Sequence, residues 1–346
     1  MTDLYAYTTA KSVVGWRRHQ YDIVRVTGRD RFDLLHRMTT NNVVSLNTSS
    51  STHVGLGIRN VFLTEKARII DVCTMLAREE EILLILSAGM AANIIAWLDA
   101  YTFIEDFRTD DITVQYVPFL VFGAQAVSFI EELAKVPLDR MRVASWLNAT
   151  VEYSLQKIEH IILVQQPPLC TSCFLLLVPA EHAAVCEKML QTIDSIAAVG
   201  DDVFEVLRIE AGWGKHGAEW TSERNPLEAG LIGLVDFTKG CYIGQEVIAR
   251  LDTYNKVKMR CMGLRADTPI HLNMRLVDTS DAKHEPENIG IVTSTAYSPE
   301  LQQYIALGYV RSQFANPGVR VLARSIDDNA TEQYSEIEIV ALPFLV

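Results

Sequence analysis

The densest run of side chains able to do chemistry lies between Arg208 and Arg250. From Arg208 it reads Arg-Ile-Glu-Ala-Gly-Trp-Gly-Lys-His-Gly-Ala-Glu-Trp, then Asn225-Pro226-Leu227-Glu228-Ala229-Gly230-Leu231, then Lys239-Gly240-Cys241-Tyr242-Ile243-Gly244-Gln245-Glu246. Gly212, Gly214 and Gly217 let the backbone approach a partner closely, while Lys215, His216, Glu219 and Glu228 offer charge around it. A loop of this length in a compact domain forms a site more often than it serves as a bare crossover. Cys241 stands two residues after Lys239, and a neighbouring cation activates a thiol by favouring the thiolate. The plain alternative is a small buried core residue. Trp213 and Trp220 flank the loop at a spacing suited to walling a flat heteroaromatic ligand, or simply to filling core. Cys170-Thr171-Ser172-Cys173 has the spacing of a redox or metal pair, but no second pair accompanies it and the eight His show no ligand spacing, so no metal site is expected.

The elements that must position these residues follow from hydrophobic period. Ile23 to Thr27 alternates as a strand, Gly28 is its turn, and Asp30 is placed to cap a helix with Phe32, Leu35 and Met38 on one face. Phe119 to Phe122, Gly123 and a helix over 124–134 repeat that arrangement. The strand Ile82 to Ser87 with the helix Met90 to Ala100 is echoed by Phe174 to Val178 with a helix from Pro179 to Ile196. Both pairs recur in the same order a little over ninety residues apart, as two related α+β lobes would, and a cleft between lobes is the usual place for a small-molecule site. After about residue 260 the pattern changes to six short alternating runs: Cys261–Arg265, His271–Leu276, Ile289–Thr295, Tyr304–Val310, Val319–Arg324 and Ile337–Leu342. Asp267, Pro269, Pro286, Pro299 and Pro317 break them, which predicts a small β-barrel or sandwich.

Composition narrows the function classes. The 346 residues, 49% hydrophobic and 21% charged, suit two or three globular domains and exclude disorder, collagen and coiled coil. Thirty-one Lys and Arg against 43 Asp and Glu give a net charge of −12, which argues against nucleic acid as the main partner. The first residues lack a basic, then apolar, leader, and no stretch approaches the ~18 apolar residues of a membrane span, so a cytoplasmic protein with reduced thiols and no membrane partner is expected. Asn47-Thr48-Ser49 and Asn148-Ala149-Thr150 match glycosylation sequons that carry no weight without export.

Lys239 to Glu246 resembles the signature of the YgfZ group, folate-binding proteins related to the T-protein (aminomethyltransferase) of the glycine cleavage system. The resemblance covers almost the whole chain. Arg208-Ile209-Glu210-Ala211-Gly212 and Asn225 to Ala229 resemble T-protein segments, as do Thr40-Asn41-Asn42-Val43 and, near the C-terminus, Gly290-Ile291-Val292-Thr293-Ser294 with Ser298-Pro299. It implies an α+β fold of two pseudo-repeated lobes, roughly 1–115 and 116–258, forming a folate-binding region over 1–258, with a small C-terminal β-barrel over 259–346. It also implies tetrahydrofolate or a derivative as cofactor. Asp71, at the end of Ala67-Arg68-Ile69-Ile70-Asp71, matches the T-protein acid beside the folate's reactive nitrogens, although both glycines of that run are replaced; the alternative is a strand-edge carboxylate paired with Arg68. The implied site comprises Asp71 and Cys241 as catalytic groups, with Asp71, Arg208, Trp213, Lys239, Tyr242, Gln245 and Glu246 binding the cofactor or its surroundings. Arg208 would offer a cation to an anionic folate tail, or pair with Glu205 or Glu210. Where the T-protein carries a Glu for the pterin, Gln166 to Cys173 carries no acid. The resemblance therefore implies a YgfZ-type role in iron–sulfur protein assembly or repair through Cys241, with an iron–sulfur client or carrier protein as partner. Its alternative is a one-carbon transferase of the T-protein class.

Overall fold

The structure, a computed structural model, describes residues 2–47, 54–153, 156–278, 287–326 and 332–345. Thr48, Ser49 and Pro286, named above, lie outside the described residues. In chain order the elements are α1 (Leu4–Ser12), β1 (Gly15–Arg18), β2 (Tyr21–Thr27), α2 (Arg31–Met38), β3 (Gly57–Leu63), β4 (Ile69–Ala77), β5 (Ile82–Ser87), α3 (Ala91–Asp99), β6 (Arg108–Asp111), β7 (Tyr116–Gly123), α4 (Ala126–Ala134), β8 (Trp146–Tyr153), β9 (Gln156–Gln166), β10 (Ser172–Pro179), α5 (Ala183–Gln191), β11 (Ala197–Ala198), α6 (Asp201–Glu210), α7 (Gln245–Thr253), β12 (Met259–Ala266), β13 (Arg275–Asp278), β14 (Glu287–Ser298), β15 (Gln303–Arg311), β16 (Arg320–Ile326) and β17 (Glu332–Val340). They form two compact units, one of residues 1–65, 70–203 and 234–245, the other of residues 66–69, 204–233 and 246–346.

The first unit holds both lobes. One sheet has the order β3-β4-β5-β2-β6 and the other β8-β9-β10-β7-β1-β11, so the strands β3-β4-β5-β2 are matched one for one by β8-β9-β10-β7. This is the repeat expected from the hydrophobic pattern, now visible as topology. At the fifth position β6 lies antiparallel to β2, and β1 lies antiparallel to β7. Although β1 precedes the first lobe in the chain, it completes the second sheet, and only residues 19–20 separate it from β2 of the first. Each sheet buries one face under its helices: Val24, Leu84, Leu86 and Met75 pack with Leu34, Leu35, Ile94 and Leu98, and Phe119, Val121, Leu163 and Leu176 pack with Ile130, Leu133, Met189 and Leu190.

Both strand-to-helix turns require glycine. Gly28 has φ +103°, and a Cβ there would lie 2.0 Å from the carbonyl oxygen of Asp106; Gly123 has φ +130°, and a Cβ would lie 2.4 Å from that of Ala10. Asp30 departs from its expected capping role. It precedes α2, but its carboxylate accepts the Asp106 N–H at 2.8 Å and makes no cap bond. The cap of α3 comes from a distant strand instead, because the Asp22 carboxylate accepts the Ala91 N–H at 2.7 Å. The helix expected from Pro179 to Ile196 is shorter. A 3₁₀ turn over Ala180–His182 precedes α5, and Thr192 ends it by donating its hydroxyl to the Met189 carbonyl at 2.8 Å.

In the second unit the six expected C-terminal runs close into a barrel of order β12-β15-β14-β13-β16-β17. The run expected at His271 to Leu276 enters the ladder only at Arg275, after Asn273 turns at φ +66°. Leu264, Leu276, Val292, Val310, Ile337 and Ile339 are buried in the barrel core, and Ile209 of α6 packs with Ile305 and Leu307. No helix among the described residues is long and apolar enough to cross a membrane.

Candidate functional site

In the first unit, the crossing from β1 to β2 gathers ionisable groups from both lobes. Tyr21 opens β2 at this crossing, within electrostatic reach of Arg59 of β3 and Asp71 of β4 from the first lobe and of Cys173 of β10 from the second. Asp71 is fully buried, and its carboxylate accepts the Ser87 N–H at 2.9 Å. Burial pushes the Tyr21 phenol up, with Cys173 adding to the rise and Arg59 opposing it; burial raises Cys73 well above the usual thiol range, with Asp71 reinforcing it; burial also lowers Arg59. The cluster thus sets a carboxylate, a phenol and a guanidinium at the junction of two sheets. Of these the carboxylate accepts, the guanidinium donates and the phenol does either, a mixed set suited to a polar heteroaromatic ligand with both N–H and carbonyl edges. Tyr21 and Arg59 were not singled out in the sequence; only the strand order brings them to Asp71.

His19 lies in the same crossing, its ring 4.6 Å from that of Tyr21. Burial, then the Arg17 charge, lower its pKa to about 4, with Asp201 opposing them. The native state therefore holds a neutral imidazole that protonates readily once unfolded. This contribution is fully present above the unfolded pKa of about 6.5 and is lost as pH falls from there through about 4. We expect the urea midpoint to fall across that window by the equivalent of at most about 3 kcal/mol, and His19→Gln to flatten the fall. An unchanged profile in the variant would refute the assignment.

Lys239 clamps the signature loop within the first unit. It is buried, and its Nζ donates to the carbonyls of His36, Thr39 and Asn41 at 2.5, 2.7 and 2.8 Å. The same segment adds Asp236 N–H to the Thr40 carbonyl and Ile243 N–H to the Arg37 carbonyl, both at 3.0 Å, while the Thr40 hydroxyl donates to the Leu234 carbonyl at 2.7 Å. Two of these bonds, to the His36 and Arg37 carbonyls, satisfy groups that the end of α2 leaves open. Burial pulls the Lys239 ammonium down to about 7 against the pull of Asp236. Tyr242, beneath that ammonium at 5.0 Å, is buried and pushed up to about 12 by its burial. Thr40-Asn41 is pinned in turn by the buried Asn60, whose carbonyl oxygen accepts the Asn41 N–H at 2.7 Å. Cys241 is left exposed, Gln245 is half-buried and Glu246 is exposed.

In the second unit Arg208 lies only 3% exposed, with all five of its N–H donors occupied. Nε and Nη2 meet Glu205 at 2.9 and 2.5 Å, Nη2 also meets the Ser294 hydroxyl at 2.8 Å, and Nη1 meets Glu219 at 3.2 Å and the Trp213 carbonyl. Glu219, 1% exposed, also accepts the Thr293 and Ser294 hydroxyls at 2.6 and 2.7 Å and the Lys215 N–H at 3.1 Å. Glu210 turns elsewhere and accepts the Ser298 hydroxyl at 2.6 Å. The close approach that Gly214 permits is made by the chain's own Trp220, whose indole nitrogen would lie 2.4 Å from a Cβ there; Trp213 is half-buried. Arg68 donates to the Glu223 carbonyl at 2.7 Å and stands 3.8 Å from the Glu228 carboxylate.

The site residues thus fall into three groups: Asp71 with Tyr21 and Arg59; Lys239, Cys241, Tyr242 and Gln245 in the clamped loop; and Arg208 with Trp213 in the interior of the second unit, to which Glu246 also belongs. Cys170 is half-buried and Cys173 buried, in the β9–β10 hairpin. No cluster among the described residues has the ligands for a metal ion.

Comparison with known proteins agrees with this architecture. Residues 9–239 match the GCVT N-terminal domain, and residues 259–345 match the glycine cleavage T-protein C-terminal barrel domain. A putative transferase of Arabidopsis thaliana, chloroplastic, is 30% identical over 85% of this chain and 64% of its own length. An aminomethyltransferase of Synechocystis is 30% identical over 69% of this chain and 62% of its own. The chain therefore spans a little under two thirds of either relative. The crystal structure of glycine cleavage system aminomethyltransferase T from Bartonella henselae shares the fold, with a TM-score of 0.81 at 21% identity, over 99% of this chain and 89% of that one. The two lobes, the closed barrel and the matched domains together place this chain in the glycine cleavage T-protein family.

Proposed function

We propose that this protein binds a reduced folate at the Tyr21–Asp71 cluster and acts in the assembly or repair of iron–sulfur proteins through Cys241. The observation that carries the reading is the exposure of Cys241 at the tip of a loop clamped by Lys239, while the other five cysteines are buried or half-buried. A thiol held outward on a fixed backbone is suited to meeting iron or sulfur on a client protein. Tyr21, Arg59 and Asp71 would supply a hydroxyl, a cation and an acceptor for the folate. Residues 166–173, at the place where the resemblance implies a pterin-binding Glu, carry no acid, so the bidentate grip that a carboxylate gives would be missing there. Tetrahydrofolate titration by calorimetry tests the first half of the proposal, and Asp71→Asn is expected to weaken binding about tenfold or more. In cells lacking the protein, wild type restores iron–sulfur enzyme activity and Cys241→Ala does not. Full rescue by Cys241→Ala would overturn the proposal.

A second reading, one-carbon transfer to tetrahydrofolate, is favoured by the buried Asp71 carboxylate at the junction of the lobes. It predicts methylenetetrahydrofolate from an aminomethylated lipoyl carrier, lost in Asp71→Asn and kept in Cys241→Ala.

A further inference from the structure

Helix α7 of the second unit buries one side chain, Ile248, and leaves the rest of its length in contact with solvent. Beside it lies a groove of about 320 Å³ lined by Glu246, Val247, Arg250, Leu251, Lys256 and Lys258. Val247 and Leu251 are one turn apart, so they share a helix face and give the groove an apolar floor. Arg250, Lys256 and Lys258 are exposed, and none forms an ion pair among the described residues. This is unlike the barrel surface of the same unit, where Arg265, Arg311 and Arg320 each carry a carboxylate partner in Glu338, Glu287 and Glu336. Lys256 is held over the exposed Tyr254 ring at 5.4 Å. Glu246 is the one acidic lining residue against three cations, in a chain whose net charge is −12.

We infer that this groove docks a short acidic segment of a partner protein, which seats an apolar side chain on Val247 and Leu251 and sets carboxylates against Arg250, Lys256 and Lys258. A cationic patch without internal partners keeps its charge available to an incoming anion, and the apolar floor fixes where the segment sits. A long polyanion fits less well, because the field of the −12 chain repels every phosphate beyond the patch. The inference does not depend on the folate or on the Cys241 chemistry.

The probe is a short fluorescein-labelled peptide of Glu and Leu with the two Leu spaced one helical turn apart, titrated into the full chain by fluorescence anisotropy. Saturable binding that weakens as salt rises is expected. The triple variant Arg250→Glu, Lys256→Glu, Lys258→Glu should lose about tenfold or more, because three attractions become repulsions, and Val247→Ser about threefold. Because all four positions are exposed, melting temperature and tetrahydrofolate binding should stay unchanged, which separates failure here from failure of the proposed function. Equal affinity in the triple variant overturns the inference, as does no peptide binding by wild type. Tighter binding of an oligothymidylate than of the peptide would assign the groove to nucleic acid. A salt-sensitive dimer abolished by the triple variant would assign it to a second copy of this chain, and either result overturns the inference.

Discussion

Replacing Arg208 with Met is expected to destabilise the protein by about 3–5 kcal/mol in urea unfolding. The substitution leaves the Glu219 carboxylate buried without its cation, and an uncompensated charge in the interior costs far more than the pair itself contributes. It also takes the Arg208 donors from the Trp213 carbonyl and from the Ser294 hydroxyl, which keeps its own bond to Glu219. Arg208→Lys should recover less than half of the loss, because one ammonium cannot reach acceptors arranged for a five-donor fork. Glu219→Gln should cost less, about 1.5–3 kcal/mol, since the amide keeps the shape and Glu205 still pairs with Arg208. In the double variant Arg208→Met, Glu219→Gln the two losses should fall short of their sum by about 1–3 kcal/mol, the signature of a shared network. With every donor of Arg208 occupied inside its own unit, the folate affinity of the folded Arg208→Lys protein should stay within about threefold of wild type. A cost below about 1 kcal/mol for Arg208→Met would show that the pair is solvated in solution. A large fall in folate affinity for Arg208→Lys would return this residue to the ligand.

The contrast between what the sequence conveys and what it hides is sharp at these residues. Strands with unbroken apolar runs were legible: the expected strand Ile82 to Ser87 is β5, and all six C-terminal runs entered the barrel. The lobe repeat was legible because each copy buries one face of its helices. Between Glu205 and Glu210 as partners for Arg208, helix geometry decides. Glu205 is three residues back, on the same face, whereas Glu210 is two residues on and points to Ser298. Glu219, the third participant, is reached only through the loop's return and gives no spacing signal. Tyr21 and Arg59 were invisible for a related reason, since nothing local distinguishes a strand-end Tyr from any other until the order β3-β4-β5-β2 sets it by Asp71. The loop glycines read as room for a ligand, but at Gly214 the room is taken by Trp220. Least legible of all was Lys239, because its three partners are main-chain carbonyls about 200 residues earlier, and a carbonyl has no residue type.

That clamp leads to the second large effect. Lys239→Met is expected to release the 234–245 segment while the lobes stay folded, lowering the free energy of local opening by about 2 kcal/mol. Three charge-assisted bonds are lost, but part of their contribution is offset by the desolvation that already draws the ammonium down to about 7. The amides of Asp236 and Ile243, which donate to the carbonyls of Thr40 and Arg37, report the change directly. Their hydrogen exchange should accelerate about 30-fold, while amides of β5 and β10 keep their protection. Lys239→Gln, with two donors in place of three, should fall between wild type and Met. The functional consequence follows from position. Cys241 is two residues from the clamp, so a freed loop presents the same thiol on a disordered backbone, and rescue of iron–sulfur enzyme activity should drop toward that of Cys241→Ala while tetrahydrofolate affinity remains. If Lys239→Met speeds exchange yet rescues fully, the thiol does not need its fixed backbone. If exchange is unchanged, the three carbonyls are satisfied without Lys239 and the clamp does not hold the loop.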